Sequence, residues 1–294
     1  MKISLVLGSG GARGYAHIGV IEELERAGFE IASISGASMG ALVGGLYAAG
    51  GLEAYKEWVL GLDVWDVAAL LDISFDKRGL IKGEKVFAKL HEIVGDVRIE
   101  ELPIKYTAVA TDIEQNKEVW FQEGDLLQAI RASISIPSFF TPVQIEGRLL
   151  VDGGVLNPLP VAPTMSDHTQ MTIAVSLYGE WQTPSIEVPK EHQERQERLA
   201  EALQKLAEYA KSLTKDEEYS FFDIVSLSFD AMQKTLIRYR LAGYPPDHLI
   251  EIPQNICGTY DFHKAYEVIE AGRQAARRFL AEAERSLLPS APDQ

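Results

Sequence analysis

No disulfide can form within this chain, because Cys257 is the only cysteine among its 294 residues. A reducing compartment fits that count, and the expected location is cytoplasmic. Cations are also scarce: 28 lysines and arginines stand against 43 aspartates and glutamates, a formal charge of −15. A balance this acidic leaves no broad basic footprint, so no nucleic-acid partner is expected. It equally disfavours simple electrostatic attraction to anionic lipid. Long apolar runs are missing as well. The run at residues 3–7 is too short for a signal-peptide core, and no other run approaches the length of a membrane span.

What is present is the composition of a folded body, with 46% hydrophobic and 24% charged residues. Residues 3–7 are strand formers ended by Gly8-Ser9-Gly10-Gly11. Ala16, Val20, Ile21, Leu24 and Ala27 then share one helical face, which Gly28 stops. A second strand is expected at 31–35, followed by a helix at 41–49 that is apolar all round, as one enclosed in a layered protein should be. Alternation at this spacing means βαβ units and a mostly parallel sheet, hence an α/β fold. Further strands are expected at 104–110, 118–121, 144–151, 171–177 and 248–252, with Glu146-Gly147 turning inside the third of these. Residues 189–218 are densely charged. Leu199, Leu203, Leu206, Ala210 and Leu213 there imply an amphipathic helix that is a solvated face or a lid. A closing helix is expected at 262–287. With no repeat and no clear linker, the expectation is one domain over 1–288, a helical excursion at about 185–245, and a flexible tail at 289–294.

Three groups of residues could carry chemistry. Gly8-Ser9-Gly10-Gly11-Ala12-Arg13-Gly14, between strand and helix, lacks the glycine and the acidic partner of a dinucleotide fingerprint and the Gly-Lys-Ser/Thr of a phosphate loop. It leaves free N–H groups at a helix N-terminus, suited to an anion or a transient oxyanion, or else a plain tight turn. Arg13 would add charge there or hold the loop through its carbonyls. Gly36-Ala37-Ser38-Met39-Gly40 has the G-x-S-x-G form between a strand and an apolar helix, the context of a nucleophile elbow. A serine nucleophile needs a base. Of the six histidines, His17 and His91 sit in helical patterns and His192 in the charged excursion. His168, His248 and His263 stand open as partners. The alternative is Asp152, delivered by an apolar strand to a Gly153-Gly154 turn.

Taken in order, Gly10-Gly11-Ala12-Arg13-Gly14, Gly36-Ala37-Ser38-Met39-Gly40 and Asp152-Gly153-Gly154 resemble the patatin-like phospholipase family. Ala129-Ile130-Arg131-Ala132-Ser133 through Pro137 looks like a further block, and a fainter likeness returns at 262–272. The resemblance implies a three-layer α/β/α fold with a mostly parallel central sheet. It also implies a Ser–Asp dyad, with Ser38 as nucleophile and Asp152 as base, and an oxyanion hole from Gly10, Gly11 and the backbone around Ala12 and Arg13. The implied substrate is a lipid ester, a phospholipid or lysophospholipid, with no cofactor and no metal and with transient membrane contact. Ile134, Ile136, Phe139 and Phe140 would then line an apolar groove near the serine. The competing reading is a lipid-binding or regulatory scaffold that keeps the site unused.

Overall fold

The computed structural model describes residues 1–62, 83–137, 139–182, 185–194, 197–198, 200–201 and 221–287. Its centre is an eight-stranded sheet. The strands are β1 (Lys2–Leu7), β2 (Glu30–Ala37), β3 (Lys105–Asp112), β4 (Lys117–Phe121), β5 (Val143–Ile145), β6 (Arg148–Asp152), β7 (Met171–Gly179) and β8 (His248–Pro253). They lie in the order β5-β6-β3-β2-β1-β7-β8, with β4 added on β3. The pairs β3–β2, β2–β1, β1–β7 and β7–β8 are parallel, and those involving β4, β5 and β6 are antiparallel. Apart from Lys2, every residue of β1 is buried, as expected of a parallel strand covered on both faces.

The helices are α1 (Ala16–Arg26), α2 (Met39–Ala48), α3 (Leu52–Gly61), α4 (Glu84–Val94), α5 (Leu126–Ser133), α6 (Phe221–Gly243) and α7 (Ala265–Leu287). From β1 the chain moves outward through β2 to β3, then continues on the other side of β1 with β7 and β8. Right-handed crossovers in opposite directions put their helices on opposite faces. Accordingly α1, α2, α3 and α7 touch one another on one face, while α6, between β7 and β8, crosses the other. The result is three layers. At the reversal, the loops leaving the carboxyl ends of β1 and β7 border a crevice, where parallel sheets bind ligands.

Two expected boundaries move for reasons of pairing. The second strand runs on to Ala37 because β3 pairs with it as far as Val109. The expected strand at 144–151 is a hairpin, β5 and β6, turned by Glu146 and Gly147 at φ 49° and 76°. The closing helix begins at Ala265, after a 3-10 turn at Phe262–Lys264. Most of the expected amphipathic helix, from Leu199 to Leu213, lies outside the described residues, as does the tail at 289–294.

Candidate active site

The placement of Ser38 and Asp152 follows from the pairing of β3. This strand has only two edges. β4 pairs with Ala108 to Asp112 on one of them. On the other, β2 pairs up to Val109, and β6 pairs from Asp112 back to Ala110. Because β2 is parallel to β3 and β6 is antiparallel, their carboxyl ends meet head-on along this edge. Ala37 stands opposite Val109, and Asp152 stands opposite Ala110. Ser38 and Asp152, distant in sequence, therefore face each other across the gap between two strand ends. Ser133, the last residue of α5, closes that gap. Its Oγ accepts from Ser38 N–H at 2.9 Å and donates to Val109 O at 2.6 Å.

Ser38 itself has φ 55° and ψ −126°, a conformation that costs a non-glycine residue about 1–3 kcal/mol. It is the last residue before α2 and is 2% exposed. The flanking glycines make the elbow sterically feasible. A Cβ on Gly40 would lie 2.0 Å from Leu7 O, and one on Gly36 would lie 2.4 Å from Gly40 O. The chain reverses from strand into helix within a space that holds backbone only, which presents Ser38 at the carboxyl edge of the sheet.

Asp152 is fully buried. Burial raises its carboxyl to about 7, far above the ordinary range, and the nearby Ser38 hydroxyl and Gly154 N–H only partly offset that. Gly154 N–H donates to Oδ1 at 2.7 Å. Oδ2 has no hydrogen-bond partner among the described residues, so the Ser38 contact is looser than a full hydrogen bond. Loose contacts of this kind are common before substrate binds.

Ser38 opens onto two spaces. The first is an apolar cavity of about 140 Å³, lined by Met39 and Leu42 of α2, Tyr55 and Trp58 of α3, and the aromatic rings of Phe139 and Phe140. Ile134 and Ile136 also line it, so all four residues expected to form a groove do so. The second is a niche of about 10 Å³ bordered by Gly10, Gly11, Asp230, Thr259 and Tyr260. A larger cavity of about 330 Å³ beyond Tyr178 is lined by Glu180, Lys234, Arg238 and Glu251 and does not reach Ser38. Its charged walls are unsuited to an acyl chain.

In the glycine loop, the groups expected around an oxyanion hole differ in their partners. Ala12 N–H already donates to Thr259 O at 2.8 Å. Arg13 is buried, and its Nε donates to Gly10 O at 3.0 Å. Its charge is met by Asp230 Oδ1 at 2.8 Å, so Arg13 holds the loop and leaves no free cation at the niche. The N–H groups of Gly10 and Gly11 have no partner among the described residues. No histidine lines either space beside Ser38. His17 is a packed residue: its Nε2–H donates to Gly8 O at 2.8 Å, and burial lowers its pKa to about 4. His192 stacks on Tyr266 and His248 packs against Phe279. Among the described residues, no three metal-ligating side chains come together.

The cavity residues from α3, together with Asp230 and Thr259, belong to no motif that points to chemistry. Tyr55, Trp58, Val59 and Leu62 do recur at helical spacing, and that is the available signal. Asp230 gives no local sign of its partner, because Arg13 lies 217 residues away.

A serine on a strained strand-to-helix turn, opening onto an apolar cavity in a three-layer α/β/α body, has the form of an acyl hydrolase's site. The comparisons with known proteins agree. The family model for patatin-like phospholipase matches residues 5–165. An uncharacterized NTE family protein of Mycobacterium tuberculosis (strain H37Rv) is 39% identical over 328 residues, covering 95% of this chain and 91% of that one. Neuropathy target esterase sws of Drosophila persimilis is 36% identical over 166 residues, 54% of this chain and 12% of that protein. Among solved structures, VipD from Legionella pneumophila matches with a TM-score of 0.52 at 14% identity, over 96% of this chain and 66% of that chain, a likeness of fold. The chain belongs to the patatin-like phospholipase family and is a lipid acyl hydrolase. Among the described residues, no helix is long and apolar enough to cross a membrane.

Proposed function

We propose that the protein hydrolyses an ester bond of a phospholipid or lysophospholipid, with Ser38 as nucleophile and Asp152 as its base. The observation that carries this reading is the position of Ser38. Beneath it lies a carboxyl raised to about 7, and beside it lie an apolar cavity and the N–H groups of Gly10 and Gly11. The acyl chain occupies the cavity, and its ester carbonyl oxygen points at Gly10 and Gly11. Asp152 takes the hydroxyl proton as Ser38 Oγ attacks the carbonyl carbon. The oxyanion that forms is held by the two N–H donors, an interaction typically worth a few kcal/mol per donor. Collapse of this intermediate expels the alcohol, which regains the proton from Asp152, and leaves an acyl-serine. Water, deprotonated by Asp152, then attacks the acyl-serine, and Asp152 returns that proton to Ser38 Oγ as the fatty acid leaves.

With a charge of −15, approach to a lipid surface depends on apolar contact. Exposed Ile224, Leu227 and Met232 on α6 supply such contact beside the niche, in a cytoplasmic protein that meets membranes transiently. Incubation with phospholipid, lysophospholipid and neutral glyceride vesicles tests the reading. Free fatty acid is expected from one of the first two classes, with no gain from added anionic lipid. Absence of turnover on every class, in protein confirmed to be folded, would return the scaffold reading.

A further inference from the structure

We infer that Asp230 and Gln233, three residues apart on α6, are positioning residues that set the two halves of the catalytic site relative to each other. The inference rests on the proposed roles of Ser38, Asp152, Gly10 and Gly11. The glycine loop follows β1, and the Asp152 turn follows β6. β1 pairs with β2 and β7, whereas β6 pairs with β3 and β5, so the two strands share no ladder. The two loops meet where Ser9 N–H donates to Pro158 O at 2.8 Å, a contact that includes neither the Gly10 and Gly11 donors nor Asp152. α6 touches both loops beside that contact.

Each half is fastened to α6 by named contacts. Asp230 Oδ1 accepts from Arg13 at 2.8 Å and from Tyr178 OH at 2.8 Å, and Oδ2 accepts from Thr259 Oγ1 at 3.1 Å. Arg13 in turn grips Gly10 O, and Thr259 O accepts from Ala12 N–H. Asp230 therefore fixes both sides of the Gly10–Ala12 backbone, of which Gly10 and Gly11 border the niche. Gln233 is 2% exposed; its Oε1 accepts from Ser9 Oγ at 2.8 Å and lies beside Tyr178 OH, whose one proton is divided between Gln233 Oε1 and Asp230 Oδ1. Its Nε2 lies against the Asp152 turn: a Cβ on Gly154 would come within 2.3 Å of it. One turn of helix thus touches the oxyanion loop and the turn whose N–H holds Asp152 Oδ1. Further along α6, Arg240 bonds Leu156 O at 2.8 Å and pairs with Glu118, anchoring the same segment.

The energetics favour a precise clamp over simple adhesion. The Arg13–Asp230 pair is largely withdrawn from water, with side-chain exposures of 2% and 17%. Such pairs contribute little net stability but impose one geometry, and removing one partner leaves a buried charge free to reorganise its neighbours. Here that neighbour is Gly10 O, so a released guanidinium would drag the donor backbone with it. Misplaced donors weaken transition-state binding without changing the acyl cavity, which α6 does not line.

Asp230→Asn is therefore expected to lower kcat about tenfold or more per folded molecule while KM stays within about twofold. The apparent pKa near 7 should remain in this variant, because Asp152 and its burial are untouched. A merely structural role would lower the folded fraction and leave the kcat and KM of the remaining enzyme alone. Gln233→Met, which keeps the volume and removes the acceptor for Ser9 Oγ, reads the same split independently should Asp230→Asn not fold. Ser38→Ala is measured in parallel. If Ser38→Ala is inactive while folded Asp230→Asn and Gln233→Met both retain wild-type kcat, the positioning role is overturned. If Ser38→Ala is active, the proposed reaction fails instead.

Discussion

Replacing Ser38 by alanine is expected to lower ester hydrolysis by about 10³-fold or more while leaving the protein folded. Among the described residues, Ser38 carries the only hydroxyl that lines both the cavity and the niche. The other side chains that line the apolar cavity are aliphatic, aromatic or thioether groups, and burial raises the phenols of Tyr15 and Tyr55 well above their ordinary value, so both stay protonated. The neighbouring Ser133 hydroxyl is committed between Ser38 N–H and Val109 O. The effect on stability should be small. The side chain is short, and alanine bears the same positive φ that serine does. Hydrolysis of a soluble ester by purified variant and wild type, with circular dichroism to confirm folding, measures both. Retained turnover in the variant would remove Ser38 from the chemistry.

The second large effect concerns Asp152. As a base it must be ionised, and burial holds it half-ionised only near pH 7. The wild-type kcat/KM is therefore expected to rise with pH to a plateau above about 7, following the free enzyme. Asp152→Asn should remove this inflection and lower kcat about 10³-fold or more, since an amide cannot take the Ser38 proton. Stability moves the other way. The folded pKa lies above the unfolded one, so the folded state binds the extra proton between about pH 4 and 7. The contribution of this group is full below the unfolded value and is lost as pH rises through the folded value. The amide of the variant does not titrate and carries no such loss. Thermal denaturation should therefore show Asp152→Asn more stable than wild type at about pH 8, with the gap closing below about pH 4. The site is thus kept reactive at the expense of the fold. A wild-type profile flat from about pH 5 to 9, with the same profile in Asp152→Asn, would contradict the assignment.

How far the sequence foretells this depends on the range of the interactions involved. The nucleophile elbow is local. Gly36 and Gly40 bracket Ser38, and the strand before it and the helix after it are both written in nearby residues. The same holds for Glu146-Gly147, whose positive φ values close a two-residue hairpin. The apolar groove is legible for Ile134 to Phe140 because proline and aromatic residues cluster there. What local pattern does not contain is the meeting of β2 and β6 on one edge of β3. That arrangement brings Ser38 to Asp152, and it exists only once three distant segments pair. Strand β3 shows the same limit: it extends to Thr111 and Asp112 because β4 and β6 both pair there, against the low strand preference of an aspartate. Arg13 is legible as either a charge at the site or a holder of the loop. Choosing between them requires Asp230, on a helix whose apolar positions carry no sign of the glycine loop they meet. The histidines are ambiguous for the same reason, since only the assembled sheet shows that none lines the spaces beside Ser38.

The central claim is that Ser38 is an activated nucleophile. Treating the folded protein with a fluorophosphonate ester and mapping the adduct by peptide mass spectrometry tests it most directly. A single adduct on Ser38 is predicted, formed faster at about pH 8 than at about pH 5.5 and lost in Asp152→Asn. Failure to label, or an adduct on another residue with Ser38 unmodified, would contradict the account.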